Sequence, residues 1–502
     1  MLQRFKIPLT RLKKETLVLS FITGLIIFLK FLFQVLLGRT FGISWQLDAL
    51  FVNVAIFGFF GASGDYLISL FIPVFHEVYN SGEKEAHKFF DAVLKWSLLF
   101  SLVIAFSIKV LDLRIIKIVA SGLSERSILL AKEMLDIFVF AVVFSNVQRI
   151  ISLTLNALNY YSFPALTRLI YPLVNIFFLF FFVPIYGIKS LAFAAVGGAF
   201  ISAVVLMVFF YHRTRWRPTL CFYHKKIPFL IKNSLQMSLS NIVWGFRDIV
   251  IKNFASRIGE GAISLFYYAE RIIRALIYTV NFSVVRVYYS RISQFISTLR
   301  WDKVEDLFKR LIRVNMAVSF MISSAVLLFL PSVLRILFLG SKFSANDINT
   351  ITMLVNILLV YFIIVSFENY LSRIVIVARK MIVVALNAFL GVLALFVCLL
   401  AFYKRYGIYS LTIGLIVSDM SVCVIYALFV KRFIHINFLK LSFRFIKSFF
   451  LALCFVLIGI PIKKFVYSDT KVIFLLLPFW LVFYLLTAYK FLNEEKDIIL
   501  SK

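Results

Sequence analysis

The run Tyr267-Tyr268-Ala269-Glu270-Arg271-Ile272-Ile273-Arg274 sets three charges and two tyrosines inside an otherwise apolar stretch, 262–294. Spacings of four, three and four place Tyr267, Arg271, Arg274 and Tyr278 on one helical face. Glu270 precedes Arg274 by four residues, the favourable order for an ion pair, which leaves Arg271 as the uncompensated cation. A charge near the centre of a bilayer costs at least about 2.5–3.5 kcal/mol, so such groups face a protein interior or a water-filled cavity. Two roles fit the pattern. The excess positive charge could hold an anionic ligand, because a guanidinium fork matches phosphate oxygens bidentately. Alternatively, the charges form a structural network between helices.

Other ionisable residues interrupt the apolar runs. Lys30 lies near the middle of the first run, with Thr23 and Gln34 on its face, and reads as a cavity-lining cation or as the partner of a distant carboxylate. Arg247-Asp248 reads as a local pair, and Arg168 and Arg286 are further intramembrane cations. Glu368, beside Asn369, and Asp419 could bind a coupling cation or proton, or form packing ion pairs. Asp48 opens the second run, following Arg39 and Phe41-Gly42-Ile43-Ser44, and reads as a helix cap or as a gate with Arg39. Glycines 58, 61 and 64 permit close helix packing or a bend.

The elements that must position these residues are membrane helices. Of 502 residues, 62% are hydrophobic and 16% charged, against about 25% charged in soluble domains. Apolar runs long enough to cross a bilayer recur at 16–38, 47–76, 92–118, 128–158, 161–185, 188–211, 229–255, 262–294, 308–339, 345–375, 380–402, 407–430, 443–464 and 472–490. The chain therefore reads as an all-α polytopic membrane protein of about fourteen helices. The continuous runs exclude a β-barrel, whose strands alternate in short segments.

The net charge of +30 is scattered through short connections, which points to anionic membrane lipid and not to nucleic acid. Alternation of basic connections puts both termini in the cytoplasm. The basic stretch 212–228 and the amphipathic stretch 295–310 are the largest connections, and neither has room for a catalytic domain. Cys221, Cys398, Cys423 and Cys454 form no close pair, and no nucleotide loop, nucleophile elbow or zinc pattern is present. The chain reads as a transporter without metal or cofactor, driven by a coupling cation or the membrane potential. The first apolar run reads as a retained helix.

A faint internal echo supports a division. Gly38-Arg39-Thr40-Phe41-Gly42 precedes Leu47-Asp48-Ala49-Leu50-Phe51, and roughly 217 residues later Ala255-Ser256-Arg257-Ile258-Gly259 precedes Ile263-Ser264-Leu265-Phe266-Tyr267. Two six-helix lobes around a central cavity (1–215 and 216–435), plus two C-terminal helices within 436–502, follow from this echo and the helix count.

Three segments carry a family resemblance. They are Gly38-Arg39-Thr40-Phe41-Gly42 with Leu47-Asp48-Ala49-Leu50-Phe51-Val52, then Phe71-Ile72-Pro73-Val74-Phe75, then Phe254-Ala255-Ser256 with Ser264-Leu265-Phe266-Tyr267-Tyr268-Ala269-Glu270-Arg271. They resemble the MurJ/MviN family of the multidrug/oligosaccharidyl-lipid/polysaccharide exporter superfamily. The last is similar to that family's Tyr-Tyr-Ala-Asp-Arg signature. The resemblance implies a lipid-linked glycan flippase of the bacterial inner membrane. Its substrate would be a polyprenyl-pyrophosphate glycolipid such as lipid II, moved by alternating access through a cationic cavity in a monomer. By position, Arg271 would be a cavity arginine, Glu270 its acidic neighbour and Asp48 the acid that opens helix two. The chain departs from the pattern at Phe33-Gln34, where the family has Arg-Asp, with Lys30 one turn earlier as a substitute. It departs again at Phe57-Gly58-Phe59-Phe60-Gly61 and at Arg274, where the family has an acid. These departures leave room for another polyprenyl-linked oligosaccharide, an O-antigen or capsule type included. A cation-coupled multidrug exporter of the same superfamily is the rival, and it would favour acidic cavity residues.

Overall fold

A computed structural model describes residues 9–61, 68–219, 221–434, 446, 449–450, 452–461, 469–470 and 476–482. Every regular element among them is helical. In chain order these are α1 (Leu9–Phe41), α2 (Trp45–Gly61), α3 (Ile68–Ser81), α4 (Glu83–Val110), α5 (Asp112–Val119), α6 (Glu125–Ala157), α7 (Ser162–Thr167), α8 (Ile170–Phe181), α9 (Val183–Tyr186), α10 (Ser190–Thr214), α11 (Ile227–Ile258), α12 (Ala262–Ser297), α13 (Trp301–Phe338), α14 (Ala345–Val377), α15 (Met381–Tyr406) and α16 (Tyr409–Val430). Among the described residues, eight helical stretches are long and apolar enough to cross a bilayer. Their outward positions carry Phe21, Phe28, Phe106, Phe181 and Ile185, all more than half exposed, as lipid-facing residues should be. The chain is a multi-pass membrane protein.

The helices differ from the sequence reading in three places. The run 92–118 is interrupted at Leu111, where α5 restarts with Asp112 in its first turn. The run 161–185 is split into α7, α8 and α9. Pro172 and Pro184 sit in the first turns of α8 and α9, where a missing N–H leaves no bond unmade. The stretch 301–310, read as part of a connection, forms the first turns of α13. There the four-residue pairs Lys309–Glu305 and Arg310–Asp306 support the helix.

The chain divides by packing into two units, Met1–Gly261 and Ala262–Lys502. This division and the repeat seam read at 215/216 differ by the linker and α11, a helix that packs on α2, α3, α4 and α5. In the first unit α6 is central, packed by α2, α4 and α10. Asn53 of α2 spans one of these crossings, donating to the Ala131 carbonyl of α6 at 2.9 Å. In the second unit α14 is central, packed by α12, α13 and α16. It starts from a capping box in which the Ser344 and Asp347 side chains each accept the other's amide. The C-terminal helices lie mostly outside the described residues; of their described part, Phe455 and Leu476 pack on Leu328 and Phe329 of α13.

The linker after α10 is fastened to α4. Asp91, 1% exposed, accepts the Trp216 indole N–H at 2.8 Å and the Thr219 amide at 2.7 Å, and also the Thr219 hydroxyl. Those bonds compensate the burial of a carboxylate. Lys95 donates to the carbonyls of Thr219 and, at 3.2 Å, Cys221, and the Trp96 indole donates to the Phe222 carbonyl at 3.0 Å.

His224 closes this linker. Its Nδ1 accepts the Lys226 amide at 3.2 Å, a bond that requires an unprotonated nitrogen. Burial holds the imidazole below its ordinary range, with Lys226, Lys88 and Lys225 pushing the same way and Glu85 opposing. The unfolded histidine therefore takes up a proton before the folded one does. Stability is full above about pH 6.5 and falls as the pH drops below it, levelling off below the folded value. We expect the melting temperature of the detergent-purified protein to drop between about pH 7 and 5. His224→Gln should remove that component of the drop; an unchanged pH profile in the variant would contradict the assignment.

Candidate functional site

The helix α12 follows Gly259 and Gly261 and contains neither proline nor glycine from Ala262 to Ser297, so nothing breaks it. Tyr267, Tyr268 and Glu270 are buried, whereas Arg271, Arg274, Tyr278 and Thr279 are exposed. The Tyr268 ring packs edge-on against Phe338 and Phe343, at 6.2 and 5.4 Å, and fixes this turn against the end of α13. Arg274 donates from Nε and Nη2 to Glu270 Oε1 at 3.0 and 2.7 Å. The Glu270 side chain is 7% exposed, so Arg274 supplies the countercharge that a buried carboxylate requires. Arg271 stands 4.7 Å over the Tyr267 ring, and no carboxylate pairs with it among the described residues. Arg271 also donates to the Tyr267 hydroxyl, and with five N–H donors its guanidinium retains others for a phosphate.

A second group of polar contacts lies in the first unit, where the turns 42–44, 120–124 and 259–261 meet. The Asp48 carboxylate, 1% exposed, accepts the Gly261 amide at 2.6 Å, across 213 residues. Asp48 also lies in the first turn of α2, where it favours the helix dipole. Gly261 adopts φ +83 and a Cβ there would stand 2.6 Å from Ile43, so both conformation and space call for glycine. Arg126 pairs with Glu260 at 2.5 Å and lies 5.0 Å over the Trp45 ring. That guanidinium and the Ser124 hydroxyl hold the Glu260 carboxyl below the usual range. The Gly122 amide donates to the Ser256 hydroxyl at 3.0 Å, Arg257 Nε to the Ser121 hydroxyl at 2.9 Å, and Asn253 to the Ile118 carbonyl at 2.7 Å.

The remaining candidates fall as follows. Lys30 lies on an exposed face of α1, with Thr23 and Gln34 half-buried. Arg39 is exposed in the last turn of α1, where a cation suits the helix dipole. Arg168 is exposed beside the α7–α8 break. Arg247 is buried with its guanidinium 5.2 Å over the Trp244 ring. Glu368 of α14 and the buried Asp419 of α16 both lie within electrostatic reach of the Cys423 thiol. Gly64 and the Arg286 side chain lie outside the described residues.

Several polar residues escaped the sequence reading. Lys252, 5% exposed on α11, sits four residues after Asp248, a spacing that could have flagged it. Arg149 donates to the Gly61 carbonyl at 2.7 Å and so caps the end of α2; its partner is 88 residues away and left no local signal.

The family model described as lipid II flippase MurJ matches residues 17–482. A probable lipid II flippase MurJ of Buchnera aphidicola subsp. Schizaphis graminum (strain Sg) is 26% identical over 330 residues, 63% of each chain. One from Buchnera aphidicola subsp. Acyrthosiphon pisum (strain APS) is 25% identical over 350 residues, 67% of this chain and 68% of that protein. The chain thus spans just under two thirds of the first relative. A solved structure of the lipid II flippase MurJ in an inward closed conformation superposes with a TM-score of 0.79 at 19% identity, covering 96% of this chain and 100% of that one. An inward-facing multidrug resistance MATE family transporter of the MOP superfamily superposes with a TM-score of 0.69 at 15% identity, covering 82% and 94%. These structures share the fold. With nearly its whole length matched by the family model, this chain belongs to the lipid II flippase MurJ family.

Proposed function

We propose that this protein is a flippase that moves a polyprenyl-pyrophosphate-linked glycan, lipid II or a close relative, across the bacterial inner membrane by alternating access. Arg271 carries the reading. It is an exposed cation on an unbroken helix, without a carboxylate partner among the described residues, in a family whose named substrate is a pyrophosphate-linked lipid. Its guanidinium engages the pyrophosphate, and Arg274, neutralised by Glu270, shapes the rim of that face. Lys30 offers the first unit a cation of its own. The chain works as a transporter without catalysis, with both termini in the cytoplasm as its basic connections require. Glu368 and Asp419 respond to a coupling cation or proton.

The likeness to MATE transporters keeps one rival, a drug exporter. Exchange in a cell whose lipid II flippase can be depleted separates the two. Growth restored by this chain, with no gain in cationic dye efflux, is the result the proposal expects. Dye efflux without rescue of growth would replace it with the exporter.

A further inference from the structure

We propose that the groove between α4 and the start of α11 is a binding site for one anionic phospholipid of the adjacent leaflet. It is about 520 Å³, within the roughly 300–1,000 Å³ of small-ligand sites, and is lined by Trp96, Phe222, Tyr223, Ile227, Ile231 and Lys232. Its walls are apolar yet open: Trp96 is 45% exposed, Phe222 57%, Tyr223 70% and Ile231 47%. In a membrane protein such a surface is covered by lipid.

Three observations choose the occupant. The groove is held ready, because the linker that supplies Phe222 and Tyr223 is tied down by Asp91, Lys95 and Trp96. Lys95 is the last charge of α4 before the uncharged stretch 96–108, so the groove's Trp96 and Tyr223 mark headgroup depth. Its rim is cationic: Lys232 lines it, Lys95 lies 4.8 Å from the Phe222 ring, and Lys225, Arg215 and Arg217 stand on the same linker. An acyl chain fits the aromatic floor and a phosphate meets Lys232. Surplus positive charge at the rim favours an anionic over a zwitterionic headgroup, each lysine near the surface contributing about fivefold. The site depends on the linker lying at a membrane surface and not on which substrate is transported.

Titration of the purified protein with brominated phosphatidylglycerol, reading tryptophan fluorescence, tests this directly. A saturable quenching component should appear that Trp96→Phe lacks, and brominated phosphatidylcholine should produce it at least about fivefold more weakly. Lys232→Glu should erase that preference, and Ile231→Trp, which fills the groove, should lose the bound lipid in native mass spectra. Linear quenching without saturation overturns the site. Equal quenching by both lipids overturns its anionic character. Displacement by undecaprenyl phosphate but not by phosphatidylglycerol assigns the groove to a polyprenyl tail instead. None of these readouts involves transport, so their failure leaves the flippase reading standing, and the converse holds as well.

Discussion

Arg271→Ala should abolish the proposed translocation of the glycan lipid while leaving folded protein. A charge-assisted hydrogen bond contributes about 1.5–3 kcal/mol, and a bidentate guanidinium–phosphate contact contains two. At 1.36 kcal/mol per tenfold, losing even one such bond slows a step that depends on it by about 10- to 100-fold. The same substitution barely touches stability. Arg271 is exposed and contacts Tyr267, lying over its ring and donating to its hydroxyl, and a cation over a ring contributes about 0.5–1 kcal/mol at an exposed site. Arg271→Lys keeps the charge but loses the fork, so it should retain part of the activity. Arg274→Ala behaves differently, because it leaves Glu270 buried without its countercharge. Partial exposure of Arg274 moderates the loss to about 1–3 kcal/mol, visible as a lower melting temperature. Complementation, measured beside detergent-solubilised protein yield and melting, checks the series. Full growth with Arg271→Ala would remove the phosphate contact.

The second large effect is on the turns of the first unit. Gly122→Ala should destabilise the protein by about 2–3 kcal/mol. A Cβ at Gly122 would stand 2.5 Å from the Ser256 carbonyl oxygen and 2.6 Å from the Arg257 nitrogen and Cα. These are backbone atoms of α11, so no side chain can rotate away. The turn 120–124 must retreat, which costs the Gly122–Ser256 and Arg257–Ser121 bonds. Gly58→Ala is the matched control. A Cβ there meets nothing within 4 Å, so alanine should stabilise α2 by up to about 1 kcal/mol through its higher helix propensity. Thermal melting of both variants in the same detergent gives the comparison, and a Gly122→Ala protein as stable as the parent would contradict the close approach.

What the sequence disclosed depended on how local the cause was. The helices of the second unit were legible to within a few residues at most ends, because long apolar runs with glycine at the boundaries leave few alternatives. The α12 face was legible for the same reason, since three- and four-residue spacings alone decide which side chains share a face. The Glu270–Arg274 bond follows directly from that spacing. The breaks at Leu111 and around 168–169 were harder to read, because the charges that sit at them, Asp112 and Arg168, are equally compatible with a continuing helix. Contacts set by tertiary packing were not legible. Asp91 and Trp216 lie 125 residues apart, and Gly122 and Ser256 lie 134 apart, so neither residue's own surroundings announce the partner. Asp48 and Gly261 lie 213 residues apart, and the sequence specified no bond between them either.

The central claim is that the Arg271 guanidinium holds the pyrophosphate of a lipid-linked glycan. Native mass spectrometry of the gently purified parent protein and of Arg271→Ala reads this without a transport assay. The parent should carry a retained mass equal to a polyprenyl-pyrophosphate glycolipid, and Arg271→Ala should carry about tenfold less of it or none. Equal retention by the two proteins would contradict the account.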